Sequence, residues 1–381
     1  MLDRLLKRLG EILSDDHQRG VFLRKAKGCL RLPLFFGVFG YTLGLLLLIP
    51  LFQWPGENNL TLAFLLYVPR QLFLLPLPLI VLLALIVNWR LPALPLIAAT
   101  VFVLLGMEYE VRTPPANLHR DEHTLTVLTY NRGQHRNQSL QPFKNAMSPD
   151  IIAFQEARNR ARRYGNAESY SEFSHVDGVG EFTVLSRHPI VASRALEFQV
   201  GEKVQSPAAR FEIETPMGLV ALYSVHFTTP RDTLLYYRNG AFLYGVIGLP
   251  GTPWAAKRKR NQRFWDYRIE LARVFSEMVE NDPLPVIVAG DFNAPSGGYI
   301  HGIFLTHLED SHLEAGSGFG FTFPGITRNP LSLGGPWMRI DYLLAEKNEW
   351  DTVWSIAEAD RPSQHRAVAA QFRLKSAVTN R

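Results

Sequence analysis

Residues 32–107 form a long apolar stretch that limits the architectures open to this chain, because its only charged residues are Glu57, Arg70 and Arg90. Residues 32–54 carry no charge and exceed the roughly 20 residues that a helix needs to cross a bilayer. Residues 72–87 and 91–107 are also apolar, but each is at or just below the lower length limit for a span and contains prolines. We therefore predict a transmembrane region of about three helices over residues 32–107.

The segment before this stretch, residues 1–31, has eight Lys and Arg against four acidic residues, a net charge of +4. Its leucines recur at helical spacing, and no small-residue cleavage site follows the first apolar run. Because basic segments stay on the cytoplasmic side, we predict a cytoplasmic leader over residues 1–31 in a multi-pass protein of the inner (plasma) membrane. Three crossings place the chain after Glu108 outside the cytoplasm, whereas two would place it inside.

From Glu108 onward the composition is that of a soluble protein, with 30 basic and 30 acidic side chains. Residues 108–122 contain two consecutive prolines and several charges, which indicates a linker to a globular domain over residues 123–381. In this domain a helix over residues 263–280 and many short apolar runs predict two sheets packed face to face with helices outside. The predicted strands cover residues 125–130, 151–154, 182–185, 209–213, 219–225, 286–289 and 341–345.

The strand at residues 286–289 is apolar without interruption, as expected of a strand buried on both faces, and it ends at Gly290. Asp291 and Asn293 follow two residues apart, so in extended backbone their side chains leave on the same side and can reach one small ligand together. Taken alone, this sequence is also ordinary turn chemistry. Its interpretation as a site depends on what the other strands carry at their ends.

Polar residues of the same chemical kind stand at the ends of other predicted strands. Asn131, Glu156 and His226 follow three strands, Asp341 begins a fourth, and His365 precedes a further apolar run at residues 367–372. Carboxylate and amide oxygens are ligands that Mg²⁺ prefers, and a cationic imidazole suits a phosphate group. Each residue has an ordinary structural interpretation by itself, but the set indicates a metal site that handles phosphate.

Seven short motifs in chain order carry a resemblance to the endonuclease/exonuclease/phosphatase superfamily, the DNase I-like enzymes. They are Thr129-Tyr130-Asn131, Phe154-Gln155-Glu156, Leu185-Ser186-Arg187-His188-Pro189-Ile190, Ser224-Val225-His226, Gly290-Asp291-Phe292-Asn293, Arg339-Ile340-Asp341-Tyr342 and Ser363-Gln364-His365. The match runs from about His123 to the end, and the apolar N-terminal region is similar to that of bacterial membrane-anchored members. It implies a four-layer α/β sandwich, with two packed mixed sheets flanked by helices, that hydrolyses phosphate esters with water and Mg²⁺ or Mn²⁺.

The resemblance also implies a role for each polar residue at the strand ends. Glu156 corresponds to the principal metal ligand, supported by Asn131. Asp291 corresponds to the residue that orients and deprotonates the attacking water, and Asn293 to its partner in holding water or phosphate.

Three further residues resemble positions around the phosphate. His365 corresponds to the imidazole that faces the phosphate, Asp341 to the carboxylate that keeps it cationic, and His226 to a contact with phosphate or leaving group. The last motif departs from the family, because Gln364 stands where an aspartate is usual. Since Gln keeps an oxygen but loses a negative charge, we predict weaker metal binding than an aspartate would give.

The sequence leaves the substrate open between a nucleic acid and a phospholipid or other phosphorylated headgroup. Residues 228–261 combine aromatic residues with the basic run 257–260, which suits nucleic acid or the headgroups of a bilayer. The zero net charge of the soluble half counts against a nuclease that depends on broad electrostatic attraction. A non-catalytic membrane binding protein is disfavoured because the metal and water residues are intact. The sequence does not predict an oligomeric state.

Overall fold

The computed structural model describes residues 16–113, 121–133, 139–200, 203–236, 253–326, 330, 333–361 and 363–375. The chain divides into two compact units. The first comprises Met1–Pro50 and Gln71–Gly106, and the second comprises Leu51–Arg70 and Met107–Arg381. The sequence-based domains grouped residues 51–70 with the apolar region, whereas the structure assigns them to the unit that contains the sheets.

The first four helices precede the first strand, and the remaining helices lie between strands, although β3 to β7 and β10 to β12 follow one another without a helix between them. The helices are α1 (Asp16–Gln53), α2 (Leu60–Leu66), α3 (Leu77–Val87), α4 (Ala93–Val101), α5 (Phe143–Met147), α6 (Ala161–Gly165), α7 (Arg231–Tyr236), α8 (Pro253–Glu280), α9 (Tyr299–Phe304) and α10 (Ser311–Ala315). The strands are β1 (Thr124–Asn131), β2 (Ile151–Gln155), β3 (His175–Val179), β4 (Phe182–Ser186), β5 (Ile190–Val200), β6 (Lys203–Thr215), β7 (Gly218–His226), β8 (Val286–Asp291), β9 (Leu308–Asp310), β10 (Asp341–Glu346), β11 (Trp350–Ala357) and β12 (Val368–Leu374).

In the first unit, α1 runs without a break from the basic leader into the first apolar run. Its part Arg31–Gln53, 23 residues with a mean hydropathy of 2.2, is the one described helix that is long and apolar enough by itself to cross a membrane. The other two predicted crossings are shorter helices, because α3 and α4 begin only after Pro76 and Pro92. One long apolar helix is therefore present, and the number of crossings stays a prediction.

The second unit contains two six-stranded mixed sheets. The first has the strand order β11-β12-β1-β2-β4-β3, and the second has the order β5-β6-β7-β8-β10-β9. All seven predicted strands are present, as β1, β2, β4, β6, β7, β8 and β10. The predicted helix over residues 263–280 is the C-terminal part of α8, which starts ten residues earlier and includes the basic run 257–260 on exposed turns.

Apolar side chains from both sheets form the central core, which includes Val127 and Ile151 from the first sheet and Phe211 and Leu222 from the second. The outer face of the second sheet packs on α8, where Phe275 joins the core. The outer face of the first sheet is covered by a cluster of aromatic residues on and around α6. These layers of helix, sheet, sheet and helix confirm the predicted four-layer α/β sandwich.

Strand β8 shows why its sequence is apolar at every position. Ile287 and Ala289 point into the core between the sheets, while Val286 and Val288 point toward α8. Because side chains alternate between the two faces of a strand, a strand covered on both sides needs an apolar residue at each position. Because both faces of β8 are covered, the strand can carry accessible polar groups only at its end, where Asp291 lies.

Candidate active site

The predicted site residues meet at one end of the two sheets because the strands that carry them are neighbours. In the second sheet Asp291 is paired with His226 on one side and with Asp341 on the other. In the first sheet Asn131 is paired with Gln155, which places Glu156 directly after the pair. The Asn131 amide donates a hydrogen bond of 2.9 Å to Oδ2 of Asp291, so the two sheets are joined at the site.

Asp291 is the buried centre of this group, with 1% of its surface exposed. Asn293 binds both of its oxygens, through its backbone N–H to Oδ1 at 2.8 Å and through its side-chain amide to Oδ2 at 3.1 Å. Burial raises the pKa of the Asp291 carboxyl, although the nearby positive charge of His365 opposes this shift. A buried carboxylate with a raised pKa is a better proton acceptor than an exposed one.

The backbone on either side of Asp291 is fixed in unusual conformations. Gly290 has φ 153°, and a Cβ at this position would lie 2.0 Å from the carbonyl oxygen of Val225. Asn293 has φ 49°, in the left-handed region that residues other than glycine rarely adopt. Such conformations persist only where the surrounding structure enforces them, and they concentrate at functional sites.

His365 and Asp341 form a buried pair beside Asp291. Nδ1 of His365 lies 3.1 and 3.0 Å from the two carboxylate oxygens of Asp341, and its Nε2 lies 3.8 Å from Oδ2 of Asp291. Burial disfavours the imidazolium, but the charges of the two aspartates outweigh it and raise the pKa of His365 to about 9. His365 is therefore a cation at neutral pH, held in one orientation by Asp341.

His226 is a second imidazole on the opposite side of Asp291. Its Nε2 lies 3.7 Å from Oδ2 of Asp291 and 3.9 Å from Oε1 of Glu156, and its Nδ1 lies 3.1 Å from Glu181. Burial again disfavours the charged ring, but the bond to Glu181 and the neighbouring carboxylates raise the pKa of His226 to about 9. Two cationic imidazoles thus flank one buried carboxylate, an arrangement suited to an anionic substrate.

Glu156 and Asn131 offer oxygens of the kind that Mg²⁺ binds. Glu156 has φ 52°, which turns it out of β2 toward the site, and its Oε2 is buried without a hydrogen-bond partner among the described residues. Since a buried carboxylate oxygen without a partner is costly, it is well suited to a cation. Ligand atoms of Asp291, Asp341 and His365 also lie within 4.8 Å of one another, but this group could hold a metal only with the His365 imidazole neutral, so Glu156 is the better ligand. The residues present therefore fit a divalent metal.

Gln364, the departure from the family motif, has an exposed side chain. Its backbone carbonyl accepts a 2.6 Å hydrogen bond from the N–H of Gly325. A Cβ at Gly325 would lie 1.6 Å from the carbonyl oxygen of Ser363. This close backbone contact fixes the segment that carries His365 and leaves the Gln364 side chain at the solvent edge.

Three residues that support the site were not predicted from the sequence. Glu181, in the turn between β3 and β4, binds His226. Arg268 on α8 donates to the backbone carbonyls of Phe292 and Asn293 at 3.3 and 2.8 Å. Tyr67 donates through its hydroxyl to the Asn293 carbonyl at 2.7 Å. None of them lies in a motif, because each is brought to the site by packing between distant parts of the chain.

The chain matches a known family in sequence. The model of the Endonuclease/Exonuclease/phosphatase family matches residues 116–365. No curated protein matches the chain. Among solved structures, an endonuclease/exonuclease/phosphatase family protein from Bacteroides thetaiotaomicron is 16% identical, with a TM-score of 0.47, over 70% of this chain and 100% of that one.

Two further solved structures are similar. An endonuclease/exonuclease/phosphatase from Beutenbergia cavernae is 16% identical, with a TM-score of 0.44, over 67% of this chain and 72% of that one. The mannosyl-6-phosphatase of Bacteroides thetaiotaomicron is 15% identical, with a TM-score of 0.43, over 66% of this chain and 100% of that one.

The sandwich, with buried carboxylates and cationic imidazoles at one end of its sheets, defines a hydrolase of phosphate esters. The chain belongs to the endonuclease/exonuclease/phosphatase family, whose model covers more than half of it and all seven site residues.

Proposed function

We propose that the protein is a divalent-metal-dependent phosphodiesterase, with Asp291 as the base that takes a proton from the attacking water. The observation that carries this proposal is the position of the buried Asp291 carboxylate between the imidazoles of His365 and His226, at 3.8 and 3.7 Å. Asn293 and Asn131 hold the carboxylate in one orientation, so it can accept a proton without moving.

The two imidazoles supply positive charge where a phosphoryl group carries negative charge in its transition state. His365 faces the phosphate as a cation whose orientation Asp341 fixes. His226, also cationic at neutral pH, contacts the phosphate or donates to the leaving oxygen. Stabilisation of charge and orientation of water are the main tasks in this chemistry, since the transition state is loose.

Mg²⁺ or Mn²⁺ is the cofactor that suits the remaining residues. Glu156 would hold it through its unpartnered Oε2, with the Asn131 side chain in support. A bound divalent ion would supply Lewis-acid stabilisation of the phosphoryl oxygens. Glu156 and Asn131 also contact the groups around Asp291, so they keep the base and the cation side by side.

The substrate class that we propose first is a nucleic-acid phosphodiester, DNA or RNA. A phospholipid or other phosphorylated headgroup is the second candidate. The side chains that favour it are the large apolar residues exposed along α1, such as Leu32, Phe36 and Phe39, at 63%, 62% and 51%. Apolar side chains exposed along Arg31–Gln53 suit a bilayer, and a protein held in a bilayer has lipid headgroups among its possible substrates.

We further propose that α1 anchors the protein in the inner membrane and that the second unit lies outside the cytoplasm. The basic leader favours a cytoplasmic N-terminus. Leu51–Arg70 and Met107–Arg381 belong to one compact unit. The chain between Arg70 and Met107 therefore leaves one aqueous compartment and returns to it, which requires an even number of crossings. The helix α1 adds one crossing. The total number of crossings is therefore three if the chain between Arg70 and Met107 spans the membrane twice, and one if that chain only enters the membrane, so it is odd in both cases.

The test uses the full chain in detergent or lipid nanodiscs, because Leu51–Arg70 is part of the second unit. Plasmid, single-stranded DNA, RNA and phospholipid vesicles are each offered with Mg²⁺, with Mn²⁺ and with EDTA. We expect hydrolysis that needs the metal and falls by about a thousandfold or more in Asp291→Asn, as for loss of a catalytic base and its positioned water.

Cleavage of nucleic acid would support the first substrate class, and headgroup release from vesicles alone would support the second. Hydrolysis that Asp291→Asn leaves unchanged would contradict the proposed role of Asp291. The absence of hydrolysis on every substrate would favour the non-catalytic alternative.

A further inference from the structure

The segment Leu51–Arg70 is the part of the second unit whose purpose the proposed reaction does not explain. It follows the long helix α1 in the sequence, yet it belongs to the same compact unit as the sheets. Within it, Leu60, Ala63 and Leu66 are buried, and Leu60 and Ala63 form an apolar cluster with Trp265 of α8. The segment is therefore folded into the enzyme and is more than a connection between apolar helices.

Tyr67 connects this segment to the loop that follows Asp291. Its hydroxyl donates to the carbonyl oxygen of Asn293 at 2.7 Å, and the guanidinium of Arg268 donates to the same oxygen at 2.8 Å. The ring of Tyr67 packs against the buried Trp265 with 5.7 Å between ring centroids. Its own backbone carbonyl accepts from the indole N–H of Trp337 at 3.2 Å. These contacts leave the hydroxyl one orientation.

Two other side chains of the segment bind the same loop further along. Arg70, with 6% of its surface exposed, donates to the backbone carbonyl of Ser296. Glu57 is fully buried, and its carboxylate accepts from the backbone N–H groups of Tyr299 and Ile300 at 2.8 and 3.2 Å. Four backbone groups of residues 293–300 are thus bound by the segment.

Asn293 needs such support because of its backbone. Its φ of 49° is unfavourable for a residue with a side chain. In this conformation its backbone N–H and its side-chain amide both reach the carboxylate of Asp291. A hydrogen bond that restrains the Asn293 carbonyl therefore also restrains the two donors that orient Asp291.

We propose that Tyr67 is a positioning residue for the reaction, and that Leu51–Arg70 is a part of the active-site support contributed by the chain between the apolar helices. This inference rests on the proposed function of Asp291 as the base. Through the Asn293 carbonyl, Tyr67 holds the Asp291 carboxylate in the orientation that accepts a proton. The segment thereby makes the geometry of the base depend on residues that lie more than 200 positions earlier in the chain.

The experiment compares Tyr67→Phe with Tyr41→Phe in the full chain, with bis(p-nitrophenyl) phosphate and Mn²⁺ as the probe. Both variants lose one hydroxyl that donates to a backbone carbonyl, since Tyr41 donates to Phe73 at 3.1 Å in the first unit. We expect Tyr67→Phe to lower kcat about tenfold with KM within about twofold, as loss of one orienting hydrogen bond would. We expect Tyr41→Phe to match the parent protein.

Hydrogen–deuterium exchange provides a readout that does not depend on activity. The peptide that covers residues 291–300 should exchange faster in Tyr67→Phe, because its carbonyl at Asn293 loses one of two donors, and at the parental rate in Tyr41→Phe. Unchanged exchange in this peptide, equal kcat in the two variants, or an increase of KM alone would overturn the proposal.

The parent protein and Asp291→Asn are assayed beside them. If Asp291→Asn is as active as the parent, the proposed function fails. The exchange measurement then still decides whether Tyr67 restrains the loop.

Discussion

Asp341 lies directly opposite Asp291 in the antiparallel pair of β10 with β8. Two carboxylates in this relationship repel each other unless a cation lies between them. His365 is that cation, with Nδ1 at 3.0 Å from Asp341 and Nε2 at 3.8 Å from Asp291. The two aspartates thus explain why the pKa of the His365 imidazole is raised, and the positive charge of His365 opposes the rise that burial causes in the pKa of Asp291.

Asp341→Asn should shift the basic limb of the pH profile to lower pH. The pKa of His365 is raised to about 9, mainly by Asp341 acting against burial. The imidazolium and the stability that it contributes are therefore fully present below about pH 6.5 and are lost as the pH rises through about 9. Without the Asp341 charge, kcat/KM should begin to fall nearer pH 6.5 or below. The profile is measured from pH 5 to 10, and an unchanged limb would contradict this account of His365.

Glu181→Gln should lower the pKa of His226, the other imidazole beside Asp291. Glu181 is the strongest of the groups that raise the pKa of His226 to about 9. Without its charge the pKa falls, so kcat/KM should decline at a lower pH while the value at pH 6 stays close to that of the parent. Glu212→Gln is the matched control, since Glu212 pairs with Arg210. A shift of equal size in both variants would show that His226 is not the group that titrates.

Gln364→Asp should strengthen metal binding. The Gln364 side chain is exposed and adjacent in sequence to His365, so an added carboxylate would face the site through solvent. We expect the half-saturating Mg²⁺ concentration to fall about fivefold, because a carboxylate and a divalent cation about 8 Å apart in water interact by about 1 kcal/mol. Gln364→Asn is the control, because asparagine has the same shape as aspartate but no charge. The same Mg²⁺ dependence in the parent and in Gln364→Asp would rule out a role for this position in metal affinity.

Gly290→Ala should destabilise the second unit. A Cβ at Gly290 would lie 2.0 Å from the carbonyl oxygen of Val225, and φ is 153°. Because the neighbour is backbone of the adjacent strand, it cannot move aside, and we expect a loss of about 3 kcal/mol or more in the free energy of unfolding. Gly302→Ala is the control, since a Cβ there meets nothing within 4 Å. Denaturant unfolding of the full chain measures both, and equal stability of the two variants would refute the prediction.

The sequence predicted seven of the eight interior strands, showed the eighth, β12, only as the apolar run 367–372, and predicted no edge strand. The seven predicted strands include none of β3, β5, β9 and β11, which are the four edge strands of the two sheets. An interior strand such as β8 is apolar along its whole length because both faces are covered. In β5 most side chains are exposed or partly buried, so polar residues interrupt the pattern. Hydrophobic runs therefore identify strands that have a neighbouring strand on each side. The edge strands are missed because apolar and polar residues alternate only weakly along them.

The site was predictable to the extent that each residue lies at the end of a strand. The sequence predicted that Asp291, Glu156 and His226 lie close together, because the ends of neighbouring strands meet, and their roles stay a prediction. Glu181 and Tyr67 could not, because their contacts join residues 45 and 226 positions apart. Such pairs are determined by the packing of whole elements, for which a single sequence carries no local signal.

The contact between Tyr67 and Asn293 also sets an order of events during synthesis. At about 5–20 residues per second, the ribosome needs roughly 10 to 45 s to make the chain between them, which spans 226 positions. During that time the side chains of Leu51–Arg70 that are buried in the finished protein remain exposed, because the residues that cover them have not been made. An unfinished chain therefore has no completed base, and we expect hydrolytic activity to arise only after most of the protein has been made.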